Sequence, residues 1–188
     1  MKKNLTRLSS ALSLVLMLTG LTFAQSDING TVLYHFQDNK PIPDVVVTLL
    51  DSDNAVVATT TTDLNGSYNF PAVPFGSYSV SASSSIIPGG SNMADAQKIR
   101  HHLEGNNLLD PIEQLAADVA SPSGIGWEDY YAIIDWFMQG NSPATNNWVF
   151  EPVSVEHNGT KTNVPTMGGS SSGDVNGTFV PTTRNLVE

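Results

Sequence analysis

Apolar and polar positions fall into distinct regimes along the chain. An apolar run at 11–23 (ALSLVLMLTGLTF) follows Lys2, Lys3 and Arg7, with no acidic residue nearby. From Ile28 to about Ser85, apolar residues mostly alternate with polar ones, the period of a strand with one buried face. This predicts strands over 30–36, 44–50 and 55–62, the last holding the threonines Thr59 to Thr62. Asn65-Gly66 supplies the positive φ of a tight hairpin, and Tyr68, Phe70, Tyr78, Val80 and Ala82 continue the alternation. Beyond Pro88-Gly89-Gly90 the period lengthens. Ala96, Ile99 and Leu103 predict a helix opened by Ser91 or Asn92 and closed by Gly105. Ile112, Leu115 and Ala116 predict a short second helix with Pro111 in its first turn. Tyr130, Ile133, Ile134, Phe137 and Met138 predict a third that ends at Gly140. Strand-like content returns over 145–166, the GGSSSG at 168–173 reads as a flexible loop, and Asp174-Val175-Asn176-Gly177 precedes a polar tail.

These patterns make the fold class α+β overall, and charge and composition narrow the function. The basic start, the apolar run and the small residues around Ala24 predict a signal peptide over 1–24, cleaved just before Gln25. The run is too short to span a bilayer comfortably, and no later stretch is apolar enough, so no membrane insertion is expected after cleavage. The protein is then secreted, at the cell surface or periplasmic. The leader carries three of the eight basic residues, which leaves five against eighteen acidic ones and a net charge of −13. That surface repels phosphates, so nucleic acid is a poor partner. With no cysteine, neither disulfides nor the acyl anchor of a lipoprotein is available.

Particular residues bring families into view. Gly30-Thr31-Val32, the Pro41–Pro43 turn, V-V-V-T-L at 45–49, T-D-L-N-G-S-Y-N-F at 62–70 and P-F-G-S-Y-S-V at 74–80 resemble the carboxypeptidase-regulatory-like domain. The resemblance implies a small all-β prealbumin-like sandwich over 25–85, used as a spacer or adhesion module and carrying no catalytic residues. Asn92-Met-Ala-Asp95 and Gly126-Trp-Glu-Asp129 each put an Asp in a first helical turn ahead of an apolar stripe and a closing Gly. With the Asp-Val-Asn-Gly at 174–177, this resembles a dockerin-like helical domain, here over 86–188 with a few added strands. That resemblance implies Ca²⁺ loops and a protein partner of cohesin type or another cell-surface protein.

A calcium loop of this kind takes side-chain oxygens at its first, third, fifth and last positions. Asp118 and Asp129 have the first-to-last spacing, but Ala120 and Pro122 fill the places between them, so this is the weaker second site. Asp174 and Asn176 have the spacing of a loop's first half, whereas Asn92 and Asp95 have that of a second half. The expectation is a split site in which the tail folds back to complete the loop at Asn92 and Asp95. Adjacent His101 and His102 diverge on a helix and cannot share one ion, and no nucleophile elbow or phosphate loop occurs. Trp127 is the tryptophan expected to be exposed, with Trp136 and Trp148 in the core. The chain therefore reads as a non-catalytic adhesion or assembly module, a spacer joined to a docking domain. The alternative is a carbohydrate-binding accessory protein of a polysaccharide-degrading system.

Overall fold

A computed structural model describes residues 24–120, 124–140, 147–159 and 161–182. The signal-peptide expectation lies outside the described residues except for Ala24, as does the end of the tail. The elements are β1 (Gln25–Tyr34), β2 (Val46–Leu50), β3 (Val56–Thr61), β4 (Ser67–Pro74), β5 (Gly76–Ser83), α1 (Met93–Leu103), α2 (Pro111–Ala117), α3 (Trp127–Gln139), β6 (Trp148–Phe150), β7 (Val153–His157), β8 (Lys161–Asn163) and β9 (Met167–Ser171). Among the described residues, no helix is long and apolar enough to cross a membrane.

Two sheets enclose the larger core. One runs β4-β1-β9-β6 with β8 also beside β1, and the other runs β3-β2-β5-β7. Alternation does the sorting: Ile28, Val32 and Tyr34 of β1, Tyr68 and Phe70 of β4, Val47 and Leu49 of β2, and Val80 of β5 all turn inward and are buried. The described residues form a mixed α+β fold, mostly β-sandwich with three short helices. The sequence boundary at residue 85 divides strands that the sheets hold together. β7 pairs with β5, and β8 and β9 both run parallel to β1.

Two local expectations are corrected. The GGSSSG loop is largely strand, because β9 is buried along its whole length and lies between β1 and β6. Glycine is needed there for contact rather than for flexibility. A Cβ on Gly168 would strike the Phe36 ring, and one on Gly169 would meet Ile42 and Phe150. The Asn65-Gly66 turn has the expected left-handed Gly66 (φ +71°), fixed by Asp63 Oδ1 accepting from Asn65 and Ser67 N–H. It does not close a hairpin, however. It carries the chain from β3 in one sheet to β4 in the other.

The helices form a second, smaller core. α1 packs on α3, and Ala96, Ile99, Leu109, Ala117, Val119, Ile133 and Val175 are buried together. α2 packs on β9 and β6, with Gly173 N–H donating to Ala116 C=O at 2.8 Å.

Candidate functional site

α1 and α3 begin in the same way. The first backbone N–H groups of a helix lack partners within it, and an acidic side chain at the third helical position can reach back to one of them. Asp95 Oδ2 accepts from Asn92 N–H at 2.7 Å, while Asp129 Oδ2 accepts from Gly126 N–H at 2.8 Å. The second oxygen of each carboxylate holds a separate segment of chain. Asp129 Oδ1 accepts from Val119 and Ala120 N–H, both at 2.8 Å. Asp95 Oδ1 accepts from Asn176 N–H at 2.8 Å, and the Val175 amide also bonds this carboxylate.

The two clasps therefore repeat. In each, an Asp-Val segment (118–119 or 174–175) lays its backbone across a buried helix-start Asp and puts its valine into the small core. Of the four residues in the proposed split site, the structure brings Asn176 to Asp95 through its backbone amide, with the Asp174 charge close by. In the second pair, residues 118–120 wrap Asp129, while Asp118 Oδ2 accepts from Gly124 N–H at 3.2 Å.

Asp174 is itself fully buried and ties the tail to the sandwich. Its Oδ2 accepts from Tyr34 O–H at 2.6 Å and Phe179 N–H at 2.8 Å, and its Oδ1 from Thr178 N–H and O–H at 3.1 and 3.2 Å. Burial first, then the Asp174 charge, pushes the Tyr34 phenol far up, so it remains a donor. His35 Nε2 meets Ser170 Oγ and the Asp174 carbonyl at 2.8 and 3.0 Å, and burial lowers its pKa. Burial also pushes the Asp95 carboxyl up to about 7, with Asp174 adding to the rise.

These residues do not fit a calcium cage. Asn92 Oδ1 accepts from Ala94 N–H at 2.8 Å and Asn176 Oδ1 from Thr178 N–H at 3.1 Å. Every side-chain oxygen of Asn92, Asp95, Asp174 and Asn176 thus already holds a hydrogen-bond donor, whereas Ca²⁺ takes about six to eight oxygens of its own. Among the described residues, no three His, Cys, Asp or Glu side chains gather as a metal site would require. Tyr34 as the partner of Asp174, and Val119 and Val175 as buried anchors, escaped the sequence reading. The repeated Asp-Val dipeptide was the available signal.

On its outer side α3 is strongly apolar. Trp127, Tyr131, Phe137 and Met138 are 45, 61, 60 and 73% exposed. Trp148 is buried, its Nε1–H donating to Ile86 C=O at 2.7 Å, and Trp136 is half-buried.

Residues 27–87 match the family described as the Carboxypeptidase regulatory-like domain. No curated protein matches the chain. Among solved structures, a variant of BcpA, the major pilin subunit of Bacillus cereus, is similar at 10% identity and a TM-score of 0.42, covering 79% of this chain and 30% of that one. The Bacillus anthracis TIE protein is similar at 14% identity and a TM-score of 0.38, covering 77% of this chain and 17% of that one. This chain thus spans less than a third of either solved chain.

Proposed function

We propose that the chain is a non-catalytic module of an exported, surface-associated protein, in which the sandwich acts as a spacer and α3 docks a protein partner. The observation that carries this reading is the row of large apolar side chains, Trp127, Tyr131, Phe137 and Met138, left uncovered on a helix whose first turn is held by Asp129. Exposed aromatic and Met side chains grouped on one rigid element are the usual anchors of protein interfaces. The basic leader with its apolar run supports export, and the regulatory-like domain over 27–87 supports a spacer role. A cohesin-type or other cell-surface protein with an apolar groove suits the face. Capture of a partner from the producing cell's surface fraction is the test. The wild-type chain should retain a partner that the Trp127→Ala/Tyr131→Ala double variant loses with no change in melting temperature. Equal capture by both chains refutes the reading.

The clasps bear on calcium. On this reading, amide N–H groups on Asp95 and Asp174 take the place of the ion, and docking and folding are expected to need no Ca²⁺. Chelator and millimolar Ca²⁺ should give the same melting temperature. A rise with Ca²⁺ that Asp174→Ala abolishes would restore the metal.

A further inference from the structure

We propose that Asn65, on the turn between β3 and β4, is a site of N-linked glycosylation, its side-chain amide taking a glycan from a lipid diphosphate carrier. The chain holds four Asn-Gly pairs, and all four stand in one pentapeptide, with an acidic residue two places before the Asn and Ser or Thr two places after it. These are D-I-N-G-T at 27–31, D-L-N-G-S at 63–67, E-H-N-G-T at 156–160 and D-V-N-G-T at 174–178. Asn-x-Ser/Thr is the acceptor pattern for transfer of a glycan to the surface of an exported chain.

Turn formation does not account for the repeat. At 63–67 and 174–178 the aspartate accepts from the backbone N–H four residues on, and the glycine is left-handed, at φ +71° and +65°. At 27–31 the same pattern lies inside β1, and Asp27 accepts from Ala72 N–H instead. At 156–160 the acid belongs to β7, where Glu156 accepts from Ser77 O–H. No backbone role common to the four calls for a hydroxyl in the last place.

Accessibility singles out Asn65. Asp63, Asn65 and Ser67 are all exposed. The backbone N–H groups of Asn65 and Ser67 bind Asp63 Oδ1, which leaves both side chains to solvent. Asn29 sits between Asn69 and Asn163 of the neighbouring strands, with its amide nitrogen buried. Asn176 is half-buried, and its Oδ1 accepts from Thr178 N–H. Asn158 is exposed, but Thr160 lies outside the described residues.

In the transfer, Asn65 Nδ2 attacks C1 of the first sugar. The C1–N bond forms as the C1–O bond to the carrier breaks, the lipid diphosphate leaves, and one amide proton passes to a base of the transferase. The Ser67 hydroxyl is the group by which the transferase recognises the site. Asn-Gly has a rival reaction, attack of the glycine nitrogen on the asparagine side chain with loss of ammonia. The turn opposes it, because Gly66 N–H is held by Asp63 C=O at 2.9 Å.

This inference is independent of the docking face on α3. The test is mass spectrometry of proteolytic peptides from the chain purified from its producing cell. The peptide holding Asn65 should carry sugar residues, and those holding Asn29 and Asn176 should carry none. Asn65→Gln and Ser67→Ala should each lose the glycan, whereas Ser67→Thr should keep it. None of the three should move the melting temperature of unglycosylated protein, since the turn uses only the backbone of these two residues. A bare Asn65 in chain that begins at Gln25, and so has been exported, overturns the assignment. So does a chain that keeps its leader, a glycan confined to Asn29 or Asn176, or one that survives Ser67→Ala.

Discussion

Burial of Asp95 has a sign that solution measurements can read. Its folded-state pKa of about 7 lies above the ordinary 3.8. Between those values the native state holds more protons than the unfolded chain, so raising the pH through this window removes stability, at most about 1.4 kcal/mol per pH unit. The melting temperature should therefore decline from about pH 4 to pH 7 on account of this group. Asp95→Asn keeps one acceptor oxygen but sets an NH₂ against a backbone N–H, so its overall stability is lower and its slope over that window flatter. An equal slope in both proteins would remove Asp95 as the cause. Tyr34 offers a second check, since it is fully buried and donates to Asp174 at 2.6 Å. Tyr34→Phe leaves a buried carboxylate short of a donor and should cost about 1–3 kcal/mol, read by denaturant titration. The acidic residues of the clasps were legible from spacing because a helix start and an Asp-x-Asn turn are local patterns. Tyr34 was not, because nothing in the sequence links it to a residue 140 positions away.

At the scale of elements, short-range chemistry predicted well wherever neighbours along the chain decide the outcome. The period-two strands and all three helices stand near their expected places, since alternation and capping are satisfied within each segment. β9 departs because its composition describes an isolated peptide, not one lying between two strands under aromatic rings. Gly169 makes this testable. A Cβ there would come within 2.7 Å of both Ile42 Cδ1 and Phe150 Cε1. Gly169→Val should then destabilise by about 1–3 kcal/mol even though valine favours strands, because overpacking outweighs propensity. Unchanged or increased stability would mean that β9 is loosely held, as its sequence suggested.

For the whole molecule, the open matter is whether sandwich and helices unfold as one. Their separate cores favour independence. The connections between them favour union. β9 pairs with β1 and β6 inside the first sheet, and only four residues later Val175 is buried among the helices. Between those points Asp174 binds Tyr34 of the sandwich, while the neighbouring Asn176 amide binds Asp95 of α1. α2 closes the circuit against β9 and β6 and is joined to α1 by the Lys98–Glu113 ion pair. Pulling the tail off α1 therefore exposes Val175 and strips the buried Asp95 of the Asn176 and Val175 amides, and freeing Asp174 from the sandwich also removes its Tyr34 donor, a cost comparable to a sizeable share of a small domain's stability. Neither core can open while the other keeps its contacts. Calorimetry of residues 25–188 should accordingly show a single transition with matching van't Hoff and calorimetric enthalpies. Asp174→Ala should lower the transition temperature of both cores together, followed separately by Trp148 fluorescence in a Trp127→Phe/Trp136→Phe background and by helical circular dichroism. Two resolved transitions in the unaltered chain, or an Asp174→Ala effect confined to the helices, would show that the segment after β9 rests on α1 without joining the two cores.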